Sequence, residues 1–337
     1  MKPTTYAWVL LSAYGVLVTC QHNSSSNCDD ASLLSDYSTL GYREVGARNT
    51  VDWRLWLLRD GNPISFWHDV PLYPDEEDHH VVNMVVEIPR WTNGKIEIQR
   101  EEPLNPIFHD EKDDAPRFVE SVWPHKSYPF LYGSIPQTWE SPNFAHDFTD
   151  FPGDNDPVDV IDIGDDVGYI GQVKQVKLLG GLALNDGNET DWKVLSIDVN
   201  DPLAPLLNSV EDLEMYRPGL AETYRDWFTY YKVPRGDGLI PIVGDTWQDA
   251  DFIVEVLEES HGFWQELVEG SVDSNQINYN QTASECLDSF ISRCNATKEL
   301  DIPAEDAKDS AAEVPKEYTW WYYLDENHDL IELPARD

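Results

Sequence analysis

The sequence predicts a mainly β protein with helices gathered toward its C-terminal side, an α+β class. From Tyr42 onward the chain breaks into short alternating apolar and polar runs, separated by Gly, Pro and Asn. Alternation with period two builds strands that bury one face. Helical periodicity appears only beyond Pro218. A content of 41% hydrophobic residues, with 13 Trp, is ample for a packed core and excludes a globally disordered chain.

The expected strands are Val51 to Leu58, Val81 to Ile88, Lys95 to Ile98, Val158 to Ile163, Tyr169 to Leu179 and Asp191 to Val199. They make a compact, mostly antiparallel β-structure. Asn93-Gly94 has the residues of a tight turn and predicts a hairpin between two of them. Leu220, Tyr224, Trp227 and Tyr231 recur at i, i+4, i+7 and i+11, one face of a helix that Pro218 and Gly219 start. A second helix is expected from about Gln248 to Val268, with Ile253, Val256, Leu257, Trp264 and Leu267 as its stripe. By position, residues 1–20 read as a signal peptide, 21–39 as a flexible arm and 40–270 as the main domain. Residues 271–337 read as a polar extension or linker, with a short aromatic strand at 319–324.

The 337 residues suit one large domain or two small ones. Against 23 basic residues stand 63 acidic ones, a formal net charge of -40. So acidic a chain repels nucleic acid and anionic lipid, and neither is an expected partner. Lys2 and the apolar run from Tyr6 to Val18 have the plan of a signal peptide. With Ser12 and Tyr14 inside it, that run is short and polar for a membrane span; an uncleaved anchor is the other reading. The cleavage point stays open around Gly15 and Cys20. A secreted or secretory-lumen protein is therefore expected. Sequons at Asn23, Asn188, Asn280 and Asn295 agree with a glycoprotein. Cys286 and Cys294 are close enough in sequence to close a small disulfide loop, and Cys28 pairs only if Cys20 survives processing.

The segment with the sharpest chemistry is Gly153-Asp154-Asn155-Asp156-Pro157-Val158-Asp159. Three carboxylates lie within six residues at the entry to an apolar strand. Two bare carboxylates about 4 Å apart repel by about 4 kcal/mol at an effective dielectric of about 20. Water, protons or a cation must relieve that, and oxygen-only ligands suit a hard cation such as Mg²⁺. An Asp-rich turn capping a strand has the same spacing. Downstream, Asp191, Lys193, Leu195, Ile197 and Val199 share one strand face, which sets an acid and an ammonium at the end of an apolar stripe. Lys95 and Glu97 share a face likewise, and Lys232 follows Tyr230 and Tyr231 at a helix end. Read singly, each of these is an ordinary salt bridge or cap. Together they have the composition of a phosphoryl-transfer site.

Asp154-Asn155-Asp156-Pro157-Val158-Asp159 resembles the signature of family I soluble inorganic pyrophosphatases. The resemblance extends, in order, through Asn83 to Arg90, Lys95 to Glu97, Arg117 to Val119, Tyr132-Gly133, Pro136 to Glu140, Gly171 to Lys174, Asp186, Asp191 to Val194 and Asn200 to Ala204. It covers roughly residues 40–270 and points to the eukaryotic branch, here in a secreted variant. It implies a five-stranded OB-like β-barrel with two principal C-terminal helices. It implies Mg²⁺-dependent hydrolysis of inorganic diphosphate by a metal-bridging hydroxide, with several Mg²⁺ per site and Mn²⁺, Zn²⁺ or Co²⁺ as substitutes. By the resemblance, Asp154, Asp159 and Asp191 hold the tightest metal, and Asp159 also holds the second. Asp156 is the general base. Glu97, Asp186 and Asp191 bind the metals that arrive with substrate. Lys95, Arg117, Tyr132, Lys193, Tyr231 and Lys232 hold phosphate oxygens, while Glu87 and Tyr128 support the site. A homodimer is implied, with Trp91 and the terminal aromatics as its candidate contacts. Two rival readings are a secreted phosphohydrolase acting on polyphosphate or nucleotides, and a non-catalytic protein that binds metal or phosphate.

Overall fold

A computed structural model describes residues 37–332. The signal peptide and most of the arm, with Cys20, Cys28 and the Asn23 sequon, lie outside the described residues. Five strands organise the molecule: β1 (Val81–Ile88), β2 (Leu131–Ser134), β3 (Asp159–Asp162), β4 (Val173–Asp186) and β5 (Glu189–Asp198). β1 pairs with β2 and β4, β2 with β3, β3 with β5, and β5 with β4. The pairing thus closes on itself, with only β3 and β5 parallel. A closed ring has no free edge, which removes the usual liability of a strand sheet.

Alternation along these strands sorts their side chains between two cores. Val82, Met84 and Val86 of β1, Leu131 of β2, Val160 of β3, and Trp192 and Val194 of β5 face one core. Val85, Tyr132, Ile161, Leu195 and Ile197 face the other. Glu87, Asp159, Asp191 and Lys193 fall on the second face by the same count of two. Val173–Lys177 of β4 alternates, whereas the rest of β4 and β5, covered on both faces, read as nearly continuous buried runs.

Four helices follow the strands: α1 (Val210–Tyr216), α2 (Leu220–Tyr230), α3 (Ala250–Val268) and α4 (Arg293–Glu299). The mainly β class with helices late in the chain is thus observed. α3 lays Ile253, Val256 and Leu257 on the first core, and Asp249 caps its start by accepting from the Phe252 N–H. α2 packs Tyr224, Trp227 and Phe228 around Phe130, with ring centroids 5.0 to 5.2 Å apart. Its C-terminus carries Tyr231, stacked on Trp227 at 4.4 Å. No helix of the described residues is long and apolar enough to cross a membrane.

The hairpin expected at Asn93-Gly94 does not form. Such a turn needs positive φ at both central residues, and here Trp91 has it (64°) while Asn93 and Gly94 do not. The following strand, Ile96–Ile98, pairs with Ile107–His109 in a separate sheet that includes Leu40–Gly46 and Arg54–Arg59. Pairing in that sheet outweighs the local turn preference and swings Lys95 and Glu97 across to the ring. The stretch read as extension or linker is packed against this second sheet. Ile291, Ala296 and Ile302 bury against Trp56 and Leu104, and Ala307–Lys308 pairs parallel with Val45–Gly46. Trp321–Tyr322 pairs parallel with Ser121–Val122.

Gly133 sits where β2 is squeezed between β1 and β3. A Cβ there would stand 1.9 Å from the Val85 carbonyl oxygen, so backbone itself would have to move. Gly133→Ala is expected to destabilise the protein by at least about 1–3 kcal/mol in urea unfolding. Gly262→Ala, in α3 with nothing within 4 Å of the new methyl, is expected to be neutral or stabilising. Equal behaviour of the two variants would contradict ring closure at Gly133.

Candidate active site

The Asp-rich turn is shaped by the segment Thr138 to Glu140. Glu140 N–H donates to the Asp156 carbonyl, and Asn155 N–H donates to the Glu140 carbonyl, both at 2.9 Å. Trp139 Nε1 donates to Asn155 Oδ1 at 3.1 Å, and Asn155 takes a left-handed φ of 75°. Gly153 is needed for this approach, because a Cβ there would lie 2.2 Å from the Glu140 backbone. Asp156 N–H then donates to Asp154 Oδ1 at 3.1 Å. The turn so held aims Asp154 and Asp156 into one cleft, and β3 delivers Asp159 to the same place.

The cleft measures about 310 Å³, and nearly every side chain lining it is charged or a tyrosine. Nine acidic and five basic side chains line it. From the ring come Glu87, Tyr132, Asp159, Asp186, Asp191 and Lys193. The second sheet and its loops supply Lys95, Glu97 and Arg117, and the end of α2 supplies Tyr231 and Lys232. With Asp154 and Asp156, every residue singled out for the site lines the cleft except Tyr128. Tyr128 lies buried behind it, against Tyr132 (5.3 Å) and Trp227 (5.1 Å). Arg100, Asp110, Glu189 and Glu140 were not foreseen. The first three line the cleft. Glu140 stands behind Asp154 and Asp191.

Opposite charges interlock across the cleft. The Lys193 ammonium donates to Asp159 and Asp191, and lies 3.1 Å from the Tyr132 hydroxyl. Tyr132 also donates to Asp159. Lys95 pairs with Glu97 at 2.6 Å, Arg100 with Asp156 at 2.8 Å, Arg117 with Asp110, and Lys232 with Asp186. Glu87 accepts from Ser134 Oγ at 2.9 Å and from the Ile98 N–H.

Several carboxyls of the site resist ionisation, even where a cation is paired with them. Burial, then Asp156, Asp191 and Asp159, hold Asp154 well above the usual carboxylate value. Burial, then Glu97, push Asp156 up to about 7, although Arg100 opposes them. Burial pushes Asp191 up to about 6 against the pull of Lys193. Burial, then Asp154 and Asp191, also raise Glu140 strongly. For Lys193, burial alone would lower the value, but the Asp159 and Asp191 carboxylates outweigh it and raise it. Such a set can ionise together only if positive charge enters among it. One carboxylate oxygen from each of Glu140, Asp154 and Asp191 lies within 4.8 Å of the other two. All-oxygen donors at this spacing fit a hard divalent cation.

Comparison with known proteins agrees with this chemistry. Residues 84–265 match the family described as inorganic pyrophosphatase. The chain is 44% identical over 285 residues to the inorganic pyrophosphatase of Zygosaccharomyces bailii, spanning 84% of this chain and 97% of that one. It is 44% identical over 298 residues to that of Candida albicans, spanning 88% of this chain and 100% of that one. Among solved structures, the inorganic pyrophosphatase of Schistosoma japonicum matches with a TM-score of 0.79 and 36% identity over 84% of this chain and 99% of that one. The truncated vacuolar soluble pyrophosphatase of Trypanosoma cruzi in complex with PPi matches at 0.62 and 31% identity, over 78% of this chain and 98% of that one. With a matched family over more than half its length and relatives covered almost end to end, this chain belongs to the inorganic pyrophosphatases.

Proposed function

We propose that the chain hydrolyses inorganic diphosphate to two orthophosphates with Mg²⁺ as cofactor. The observation that carries this reading is the acid-rich cleft, whose lining Asp156 shares with Lys95, Arg100, Arg117, Lys193 and Lys232. Bound Mg²⁺ supplies positive charge against the diphosphate and makes a water acidic enough to attack near neutral pH. Asp154, Asp159 and Asp191 would hold the tightest ion, and Glu97, Asp186 and Asp191 would take those that come with substrate. Asp156 accepts the proton of the attacking water as its oxygen adds to one phosphorus and the bridging P–O bond breaks. Arg100 holds Asp156 in place through its 2.8 Å ion pair. Lys193 exchanges its carboxylate partners for a phosphate oxygen, and Lys95, Arg117, Tyr132, Tyr231 and Lys232 steady the remaining oxygens. Glu87 and Tyr128 back these groups from the core.

The chain is further read as a secreted glycoprotein that forms a homodimer. The N-terminal apolar run, the sequons and the absence of a free thiol among the described cysteines support secretion. Trp91, 59% exposed, supports a contact surface near the strand Ile96–Ile98. Asn188 is exposed beside Glu189 of the cleft, so a glycan there would obstruct entry. Peptide mass spectrometry of the secreted protein is expected to find Asn188 unmodified, and full occupancy in active protein would contradict that placement.

Asp156→Ala is expected to lower orthophosphate release from diphosphate by about 10²- to 10⁴-fold. EDTA is expected to abolish release by the unaltered protein, and tripolyphosphate and ATP to be much poorer substrates than diphosphate. Undiminished turnover with chelator present would overturn the cation-dependent reading. The raised carboxyls set the pH dependence. Their folded values exceed the ordinary 3.8, so the cation-free protein retains protons there that an unfolded chain has released. The stability they contribute is present at low pH and is lost as pH rises toward about 7. Cation binding requires the ionised form, so the rise in Tm on adding Mg²⁺ is expected to be larger at about pH 8 than at about pH 5. An equal rise at both would contradict the assignment.

A further inference from the structure

Resting on the reading of the cleft as a divalent-cation site, we infer that Glu140 is a further cation-holding residue. It closes the inner side of the position that Asp154 and Asp191 open. The residue is 5% exposed. Its Oε1 accepts from the Trp192 N–H at 3.0 Å, but its Oε2 is buried with no hydrogen-bond partner. A buried carboxylate oxygen left alone is costly, so such an orphan calls for a partner. Glu140 also lines a narrow cleft with Trp139, Phe144, Trp192 and Phe263, where His146, Thr190 and Ser260 are among the polar neighbours. One oxygen of the Glu140 carboxylate lies within 4.8 Å of an oxygen of Asp154 and of Asp191, and positive charge placed there would serve the carboxylate.

Direct participation requires the three oxygens to draw together around the ion. Ligands of Mg²⁺ stand about 2.0–2.1 Å from the ion, hence at most about 4.2 Å from one another. Only one pair among three ligands can span the ion that way; adjacent ligands on an octahedral Mg²⁺ stand about 2.9 Å apart, so oxygens within 4.8 Å of one another would have to close by up to about 1.9 Å. Mutual repulsion spreads such carboxylates when no cation is among them, so the contraction has the expected sign. The position is also fixed rather than incidental. Both backbone hydrogen bonds that shape the Asp-rich turn, Glu140 N–H to Asp156 O and Asn155 N–H to Glu140 O, run through this residue. The carboxylate therefore moves with the turn that carries Asp154.

The test compares unaltered protein with Glu140→Gln, full chain and stripped of metal, by calorimetric titration with Mg²⁺ and Mn²⁺. Glutamine keeps the length and an acceptor for the Trp192 N–H but removes the charge. The expected result is an unfolding temperature in EDTA close to that of the unaltered protein, with affinity for the tightest ion weakened at least tenfold. If unaltered protein takes up no cation, the cation-site reading itself fails. If unaltered protein binds and Glu140→Gln binds equally well, this inference alone is overturned, and Glu140 merely receives Trp192. Should Glu140→Gln fail to fold, Glu140→Asp decides: weakened affinity supports the inference and undiminished affinity overturns it.

Discussion

Carboxylates forced together out of water are the constraint on which the rest of the structure turns. Asp154, Asp156, Asp159 and Asp191 are held by backbone pairing, not by their own attraction. The ring of strands fixes Asp159 and Asp191, and the hydrogen bonds through Glu140 fix the turn that carries the other two. Left to themselves these groups would separate or stay protonated. The scaffold must therefore be stiff, which a closed strand ring with two packed faces provides. Lys193 stands at the centre, bonded to Asp159 and Asp191 at once. It is the internal counter-charge among them.

The cations of the cleft come from different parts of the chain, and this explains why so many elements converge. Lys193 rides on the ring, Lys95 and Arg117 on the second sheet and its neighbouring loop, and Lys232 on the end of α2. Each arrives with an acidic partner already attached: Glu97 for Lys95, Asp110 for Arg117, Asp186 for Lys232. Pairing lowers the cost of burying each charge before any ligand is present. On the proposed reading, an incoming phosphate would exchange partners rather than meet bare ammonium groups.

Strand alternation made much of this legible in the sequence. Counting by two along β5 places Asp191 and Lys193 with Leu195 and Ile197, where the structure has them. Helical spacing along α2 likewise places Tyr231 at the end of a buried stripe. The assignment of roles came from the resemblance of the Asp154 to Asp159 turn, not from spacing. What stayed hidden lies where local periodicity gives no direction. Glu140 and Arg100 sit on irregular segments whose orientation is set by tertiary hydrogen bonds. Ile291, Ala296 and Ile302 occur at spacings of five and six, which match neither a helix stripe nor a strand, so their burial against Trp56 left no local signal. At Asn93-Gly94 a strong local preference lost to distant strand pairing.

The parallel pairing of Val45–Gly46 with Ala307–Lys308 bears on how the molecule is made. Two segments from opposite ends of the chain share one sheet edge, so contacts of very long sequence separation complete the fold. Such contacts form late and slow the folding rate, because a large loop must close first. A ribosome adding residues from the N-terminus leaves the edge at Val45–Gly46 unpaired until nearly the whole chain has emerged. Nascent copies must therefore wait with an open strand edge, and the large surplus of negative charge keeps neighbouring copies apart while they do.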